Sequence, residues 1–149
     1  MERIPSTVDE ILSDRFLGTS FDCPCGKTHE IRTRRVVIEP SVADRIPGLL
    51  PSLVPGERIL LVADQNTWTA AGERVSEALG ASHTVEVCLL RDDASGHIHA
   101  SVDLIEEILA AYGDEYDGLA AVGSGTINDL TKAVADRRKR PYFVFATAA

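Results

Sequence analysis

Residues 119–132 constrain the fold of this chain more than any other segment. Four apolar residues, 119–122, predict a buried strand, and the turn Gly123-Ser124-Gly125 follows directly. An amphipathic helix is predicted to begin at Thr126. A strand, a glycine turn and a helix in this order direct unpaired main-chain N–H groups and the positive end of a helix dipole at one point. The segment therefore predicts an anion site, and a diphosphate is the expected occupant.

The chain after Pro55 alternates between apolar strands and amphipathic helices. The predicted strands are 58–63 (ending at Asp64), 84–90, 119–122 and 142–146. Asn66 or Thr67 is predicted to cap the first helix between them and Ser101 the second. The third is predicted to open at Thr126, with a capping box of Thr126 and Asp129. Parallel strands need such crossovers, and strands that are apolar throughout are covered on both faces. The right-handed crossover rule then predicts an α/β fold with a Rossmann-like, doubly wound, mostly parallel sheet.

The first third of the chain is less regular. Residues 4–15 predict a short helix, and residues 41–53 predict a helical segment kinked or divided at Pro47 and Pro51. Between them, residues 21–39 predict an edge hairpin with Gly26 at its turn and the β-branched run 36–38 in its second strand. We therefore expect one domain over residues 1–149, with nucleotide-binding βα units over 57–149 and an N-terminal edge hairpin.

Composition excludes several classes of function. The chain has 149 residues and a formal net charge of −8, which argues against nucleic-acid binding and against binding to anionic membranes. No apolar run approaches about 20 residues, so membrane insertion is not expected, and no signal peptide is recognisable. Three cysteines fit reduced thiols better than a disulfide framework. The expectation is a cytoplasmic protein with a small-molecule substrate.

Polar residues at the predicted strand ends leave alternatives open. Asp64 can accept the hydroxyl groups of an adenosine ribose, or it can be a helix N-terminal acid that faces water. No arginine follows at positions 65–67 to offset the charge of a 2′-phosphate, so NAD is favoured over NADP.

The glycine turn alone is a weak motif. Asn128 stands where the third glycine of the usual dinucleotide pattern belongs, and many such turns hold no ligand.

The cysteine-rich segment invites a metal interpretation that the sequence does not favour. Cys23, Cys25 and His29 supply three candidate ligands where structural zinc usually has four, so a hairpin with incidental thiols is the preferred interpretation. Cys88 is expected in the core. The pairs His97 and His99, and Asp92 and Asp93, are interpreted as solvated loop residues. The residues thus predict a nucleotide site without a convincing reactive group.

Four segments carry a resemblance to a known family: residues 21–29, 60–64, 123–132 and 141–149. Together they resemble the N-terminal half of sn-glycerol-1-phosphate dehydrogenases, within the superfamily of iron-containing alcohol dehydrogenases and dehydroquinate synthase-like enzymes. The resemblance extends over nearly the whole chain, and the glycine-turn segment is its most specific part. The cysteine-bearing segment distinguishes this family from glycerol dehydrogenases and dehydroquinate synthases.

The resemblance implies a role for each matching residue. It implies that Asp64 holds the adenosine ribose, that Thr147 and Ala148 line the nicotinamide side, and that the pyrophosphate is wrapped by Gly123, Ser124, Gly125, Thr126 and Ile127. The implied reaction, a step of phospholipid biosynthesis, is reversible hydride transfer between NAD(P)H and dihydroxyacetone phosphate to give sn-glycerol 1-phosphate. Family members use NAD or NADP. A divalent metal, usually zinc and sometimes nickel, polarises the carbonyl from ligands in a C-terminal helical domain that this chain lacks.

These implications define what we expect of the chain by itself. Because it stops at Ala149, directly after a strand, it is expected to be the first half of something larger and to be catalytically inactive alone. The alternatives are a stand-alone nucleotide-binding or regulatory α/β module and a related polyol dehydrogenase of the same superfamily. The sequence leaves open whether the protein forms a homo-oligomer.

Overall fold

A computed structural model of the chain describes residues 7–13, 15–92 and 98–147. The chain divides into two compact units, Met1–Val42 and Ala43–Ala149, which are described separately below. Among the described residues, no helix combines the length and the apolar character needed to cross a bilayer.

The N-terminal unit contains a short helix and the predicted hairpin. Helix α1 (Val8–Ile11) begins after Thr7, and strands β1 (Ser20–Asp22) and β2 (Thr28–Glu30) pair antiparallel with Phe21 opposite His29. The hairpin is confirmed, but it forms a two-stranded sheet of its own. The predicted helix over 4–15 is shorter than expected, and residues 4–6 and 14 lie outside the described residues.

The second strand of the hairpin is shorter than predicted. Residues 31–39 form no strand, and Val36 and Ile38 are exposed to 38% and 81%. The β propensity of branched residues mainly reflects packing against neighbours on a half-buried sheet. Without a partner strand, the run 36–38 does not form β structure.

A 3₁₀ turn (Val42–Arg45) begins at the last residue of the N-terminal unit, and helix α2 (Ile46–Leu53) follows it in the larger unit. Neither proline divides this helix. Pro47 lies in its first turn, where the missing N–H has no helical partner to lose, and Pro51 lies inside it. The predicted division at Pro47 and Pro51 was therefore wrong, and the alternative, a kink at these prolines, stays a prediction.

The predicted parallel sheet is confirmed. Its strands are β3 (Arg58–Asp64), β4 (Thr84–Leu90), β5 (Gly118–Gly123) and β6 (Tyr142–Ala146), all parallel in the order β4-β3-β5-β6. The two central strands, β3 and β5, are almost wholly buried, as their continuous apolar runs predict. The edge strands β4 and β6 are partly exposed.

Further helices and a π-helical turn complete the described part of this unit. They are α3 (Gln65–Thr67), the π-helical turn (Trp68–Gly72), α4 (Glu73–Gly80), α5 (Val102–Ala111) and α6 (Gly125–Arg138). The π-helical turn was not predicted. A Cβ atom at Gly72 would lie 2.5 Å from the Trp68 ring, so the indole occupies the space that this glycine leaves.

The helices cover both faces of the sheet. One face buries Leu60, Val62 and Leu119 with Ile108 of α5 and Leu130 of α6. The opposite face has its own cluster, formed by Ile59, Leu61, Val122, Leu50 of α2 and Leu79 of α4. The chain passes from β3 to β4 on one side and returns to β5 on the other. The sheet is therefore doubly wound, and its topological switch point lies between the carboxyl ends of β3 and β5, where ligands of such sheets bind.

Candidate functional site

The carboxyl ends of the two central strands finish side by side. Val62 of β3 pairs with Ala121 of β5, and each strand continues for two more residues, to Asp64 and to Gly123. Gly123 in turn pairs with Ala146 of β6, and the Thr147 N–H donates to the Gly123 carbonyl at 3.2 Å. The structure therefore places Asp64, the glycine turn and Thr147 along one edge of the sheet. Ala148 lies outside the described residues.

The glycine turn opens directly into helix α6. Ser124 is the N-cap in an extended conformation, its side chain makes no capping hydrogen bond, and both Ser124 and Gly125 are exposed. A Cβ atom at Gly125 would have no neighbour within 4 Å. The first N–H groups of a helix have no internal partner and favour anions. The turn is thus an open cradle with a free hydroxyl and main-chain donors, which fits the diphosphate of a dinucleotide.

The predicted capping box of Thr126 and Asp129 was wrong. Helix α6 begins one residue earlier, at Gly125, so Thr126 lies within its first turn and is half-buried. The Asp129 carboxylate instead accepts from Lys132 Nζ at 2.6 Å, and this contact raises the pKa of Lys132. The ammonium group of Lys132 is therefore paired with Asp129 on the surface of the helix.

Close packing between strand and helix occurs at Gly123. A Cβ atom there would lie 2.7 Å from Cγ1 and 2.8 Å from Cβ of the buried Ile127. In the usual dinucleotide pattern the third glycine permits this approach. Here the approach is made at Gly123, so Asn128 can stand at the third-glycine position. The side-chain Oδ1 of Asn128 is enclosed without a hydrogen-bond partner among the described residues, which no sequence pattern indicated.

Asp64 is the N-cap of helix α3. Its Oδ1 accepts from the Thr67 N–H at 2.7 Å, and the Asp64 N–H donates to Thr67 Oγ1 at 3.0 Å, which completes a capping box. Of the two alternatives in the sequence, the helix-cap role is present in the structure. The cap engages one carboxylate oxygen of Asp64 and holds this side chain at the end of β3. A ribose contact through this carboxylate stays a prediction.

The described residues contain one group of three side chains that could hold a metal ion: Cys23, Cys25 and His29, in the N-terminal unit. Cys25 Sγ lies 3.3 Å from His29 Nε2. Hydrogen bonds from His29, from Cys23 and from the Lys27 backbone lower the pKa of Cys25 to about 7. The sequence favoured incidental thiols, whereas the structure brings these three side chains together.

The other candidate ligands among the described residues do not form a group. Cys88 is buried in β4, where desolvation raises the pKa of its thiol, so the expected core role is confirmed. Asp92 and His99 are exposed, and Asp93 and His97 lie outside the described residues. In the described part of the larger unit, no group of three side chains is suited to a metal. The described residues at the carboxyl edge of the sheet are suited to an anionic ligand such as a dinucleotide.

Sequence comparison gives matches over most of the chain. A family model described as iron-containing alcohol dehydrogenase matches residues 37–149. A glycerol-1-phosphate dehydrogenase [NAD(P)+] of Geobacillus stearothermophilus is 29% identical over 144 residues, covering 95% of this chain and 34% of that protein. The enzyme of the same name from Bacillus subtilis is 28% identical, covering 82% and 31% of the two chains. The chain therefore spans about a third of the length of these relatives.

Structural comparison agrees on the fold. A glycerol dehydrogenase from Schizosaccharomyces pombe superposes with a TM-score of 0.59 at 19% identity, covering 71% of this chain and 25% of that one. A probable glycerol dehydrogenase from Sinorhizobium meliloti 1021 gives 0.55 at 21% identity, covering 72% and 26%. A 2-deoxy-scyllo-inosose synthase complexed with carbaglucose-6-phosphate, NAD+ and Co2+ gives 0.53 at 14% identity, covering 71% and 29%. The match over residues 37–149 confirms the resemblance in the sequence: the chain belongs to the iron-containing alcohol dehydrogenase family.

Proposed function

We propose that this chain binds NAD(P) at the carboxyl edge of its sheet and is the nucleotide-binding part of an sn-glycerol-1-phosphate dehydrogenase. One observation carries the proposal. At the switch point of a doubly wound sheet, Ser124 and Gly125 form an exposed helix start with an uncommitted hydroxyl and open space where a side chain would stand. The names of the relatives support the cofactor and the substrate class.

In this proposal the main chain holds the charged part of the cofactor. The N–H groups of Gly125, Thr126 and Ile127 donate to the pyrophosphate, and the Ser124 hydroxyl adds a further donor. Thr147, which is hydrogen-bonded to Gly123, lines the nicotinamide side. The same role for Ala148, which lies outside the described residues, stays a prediction. Every contact to the phosphates is then made by groups that carry no formal charge, in a protein whose net charge is −8.

Asp64 sets the preference between the two cofactors. The carboxylate oxygen that does not cap α3 accepts the ribose hydroxyls, and its charge repels a 2′-phosphate. Positions 65–67 are Gln65, Asn66 and Thr67, so no cation follows to offset that repulsion. We therefore expect NAD to bind more tightly than NADP.

The bound cofactor supplies the hydride, and the residues of this chain bind and orient it. The proposed reaction of the whole enzyme is reduction of dihydroxyacetone phosphate to sn-glycerol 1-phosphate. The described part of the larger unit offers no group of three metal ligands. Incubated with zinc, NADH and dihydroxyacetone phosphate, the chain alone is expected to give no turnover above background, and measurable turnover would contradict this part of the proposal.

Isothermal titration calorimetry of the chain with NAD+, NADH and NADP+ tests the binding site directly. The decisive variant is Gly125→Asp, which adds a negative charge in open space where the pyrophosphate should lie. We expect its affinity for NAD+ to fall at least about tenfold, since like charges at contact cost more than about 1.4 kcal/mol. Gly48→Asp is the matched control, because Gly48 is exposed on α2 and a Cβ atom there would also have no neighbour within 4 Å.

Two results would overturn the proposal. One is the absence of binding heat with every dinucleotide for a folded wild-type chain. The other is equal affinity of the Gly125→Asp and Gly48→Asp proteins for NAD+.

The structural likeness to glycerol dehydrogenases favours one second candidate, a polyol dehydrogenase of the same superfamily. A substrate panel measured on the full-length enzyme separates it from the first, because a polyol enzyme would prefer an unphosphorylated substrate.

A further inference from the structure

The turn of the N-terminal hairpin gathers three side chains that bind metals well. The ligand atoms of Cys23, Cys25 and His29 all lie within 4.8 Å of one another, and Cys25 Sγ is 3.3 Å from His29 Nε2. Zinc bonds of about 2.3 Å to sulfur and about 2.0 Å to nitrogen hold such ligands roughly 3.5 Å apart in a tetrahedral site. The observed separations therefore suit a single ion between the three atoms without refolding of the turn.

The backbone of the turn supports this arrangement. The Gly26 N–H donates to the Cys23 carbonyl at 2.9 Å, and the Cys23 N–H donates to the Lys27 carbonyl at 2.9 Å. Gly26 has a φ of +83°, a value that favours glycine. These two main-chain hydrogen bonds close the turn that carries Cys23 and Cys25.

The third ligand is held by a ring contact across the hairpin. His29 of β2 lies directly opposite Phe21 of β1, and the two rings stack with centroids 5.7 Å apart and planes inclined by 26°. This stacking fixes the orientation of the imidazole while Nε2 faces Cys25. Two sulfur donors from one side of the turn and one nitrogen donor from β2 are thus presented to a common point.

The hairpin lacks the packing that would otherwise explain its structure. Each strand has three residues, and every residue of β1 and β2 is exposed except the half-exposed Phe21. Isolated two-stranded hairpins are at best marginally stable in water. A metal ion that joins the turn to β2 would supply the cross-link that apolar burial does not.

We propose that Cys23, Cys25 and His29 bind one zinc ion, with the fourth coordination position open to solvent or to an added ligand. Two thiolates and one imidazole match the ligand preferences of zinc. No further histidine, cysteine or acidic side chain of the described residues joins the group. The site lies in the N-terminal unit, and the inference does not depend on the dehydrogenase proposal.

The experiment measures metal content and coordination, not activity. The tag-free chain, reduced, incubated with zinc and desalted, is expected to retain one zinc per chain by elemental mass spectrometry. Titration with Co2+ is expected to give thiolate-to-metal charge-transfer absorption and the visible bands of a tetrahedral site. Cys25→Ser and His29→Gln should each weaken zinc binding by more than about 100-fold, since loss of outer-shell partners alone costs up to about that factor.

Matched controls separate this site from other ligands in the chain. Cys88→Ala removes a thiol outside the group, and His99→Gln removes an exposed imidazole. Both should leave the zinc stoichiometry and the cobalt spectrum unchanged, and NAD+ affinity should be equal in all four variants. Equal zinc retention by Cys25→Ser and Cys88→Ala would overturn the proposal. A cobalt spectrum without thiolate bands would also overturn it. The same holds if the chain, reduced at the start and then incubated with zinc, is recovered with a Cys23–Cys25 disulfide, which makes it two hydrogens lighter.

Discussion

The two ends of the parallel sheet are built in opposite ways. At the amino end, side chains and main chain fill the space closely: the Asp117 carboxylate accepts the N–H groups of Glu57 at 2.8 Å and Arg58 at 3.0 Å. At the carboxyl end, Ser124 and Gly125 are exposed, and the Ser124 side chain makes no capping bond. The same strand, β5, runs from one environment to the other. The sheet thereby separates residues that hold the fold from residues free to bind a ligand.

A polar network reinforces the amino end. The guanidinium of Arg58 contacts Glu86 at 2.7 Å and Glu115 at 3.5 Å and lies over the Tyr116 ring, 5.9 Å from its centroid. The Tyr116 hydroxyl donates to Glu86 at 2.8 Å, and burial together with this carboxylate raises the pKa of the tyrosine. Apart from Arg58 Nε, which is buried without a hydrogen-bond partner among the described residues, the polar atoms named here already have partners within the protein.

The largest effect on stability is expected from Gly56→Ala at the amino end. Gly56 has a φ of +124°, and a Cβ atom would lie 2.2 Å from Cγ of Asp117. Backbone strain and overpacking together should lower the free energy of unfolding by about 3 kcal/mol. Urea denaturation measures this, with Gly48→Ala as the control, which should be neutral or stabilising because Gly48 lies in a helix with open space around it. A Gly56→Ala protein as stable as wild type would break the comparison.

Gly123→Ala should produce a smaller loss of stability together with a loss of binding. The added methyl group would meet Cβ and Cγ1 of Ile127 at 2.8 and 2.7 Å, so helix α6 must shift. Overpacking of this kind costs about 1–3 kcal/mol. Because α6 begins at the cradle, NAD+ affinity should fall in the same variant. Urea denaturation and calorimetry on one preparation test both effects, and an unchanged affinity in a destabilised protein would show that the cradle does not depend on this contact.

Two helix-capping serines provide the smallest and sharpest comparison. Ser101 Oγ accepts from the Leu104 N–H at 3.2 Å at the start of α5, whereas Ser124 makes no capping bond at the start of α6. Ser101→Ala should cost about 1 kcal/mol of stability, the usual value of an N-cap, and Ser124→Ala less than about 0.5 kcal/mol. Only Ser124→Ala should weaken NAD+ binding. Equal losses of stability in the two variants would contradict the absence of a capping hydrogen bond from the Ser124 side chain.

The Asp117 carboxylate should also make the stability of the amino end depend on pH. Its hydrogen bonds to the Glu57 and Arg58 N–H groups lower the pKa of Asp117 in the folded protein. The resulting stabilisation is present above the unfolded-state pKa of about 3.9 and is lost as the pH falls through the folded-state pKa. Urea midpoints measured from pH 7 down to pH 3 should fall less steeply for Asp117→Asn than for wild type. Parallel curves would contradict this role.

The central strands were predictable because their signal is local. An apolar run bounded by a glycine or an aspartate predicts a buried strand, and the predicted 58–63 and 119–122 compare with the observed Arg58–Asp64 and Gly118–Gly123. Parallel pairing then brings Gly123 and Thr147 together without further information. The run 36–38 has a similar composition but no partner strand, and nothing in its own residues reports that absence.

The features that the sequence did not reveal depend on how side chains pack in three dimensions, which residue type alone does not report. The close approach of Gly56 to Asp117 joins positions about sixty residues apart, as does the bond from the Glu57 N–H. In the π-helical turn, the Trp68 ring lies in the space beside Gly72. The sequence argument disfavoured a metal site because it compared the number of candidate ligands, three, with the usual four. It could not include the turn geometry that brings Cys23, Cys25 and His29 together. For Asp64, both interpretations use the same carboxylate, so the residue type alone could not choose between them.

The burial of β3 and β5 between two partly exposed neighbours has a consequence for how the molecule opens. Leu89 of β4 and Val144 of β6 are about two-fifths exposed, at 40% and 41%, while nearly all residues of β3 and β5 are enclosed. In heavy water, deuterium should therefore enter the amides of the outer strands first and those of β3 and β5 last. A ligand held at the junction of the inner pair would rest on the slowest-exchanging portion of the polypeptide.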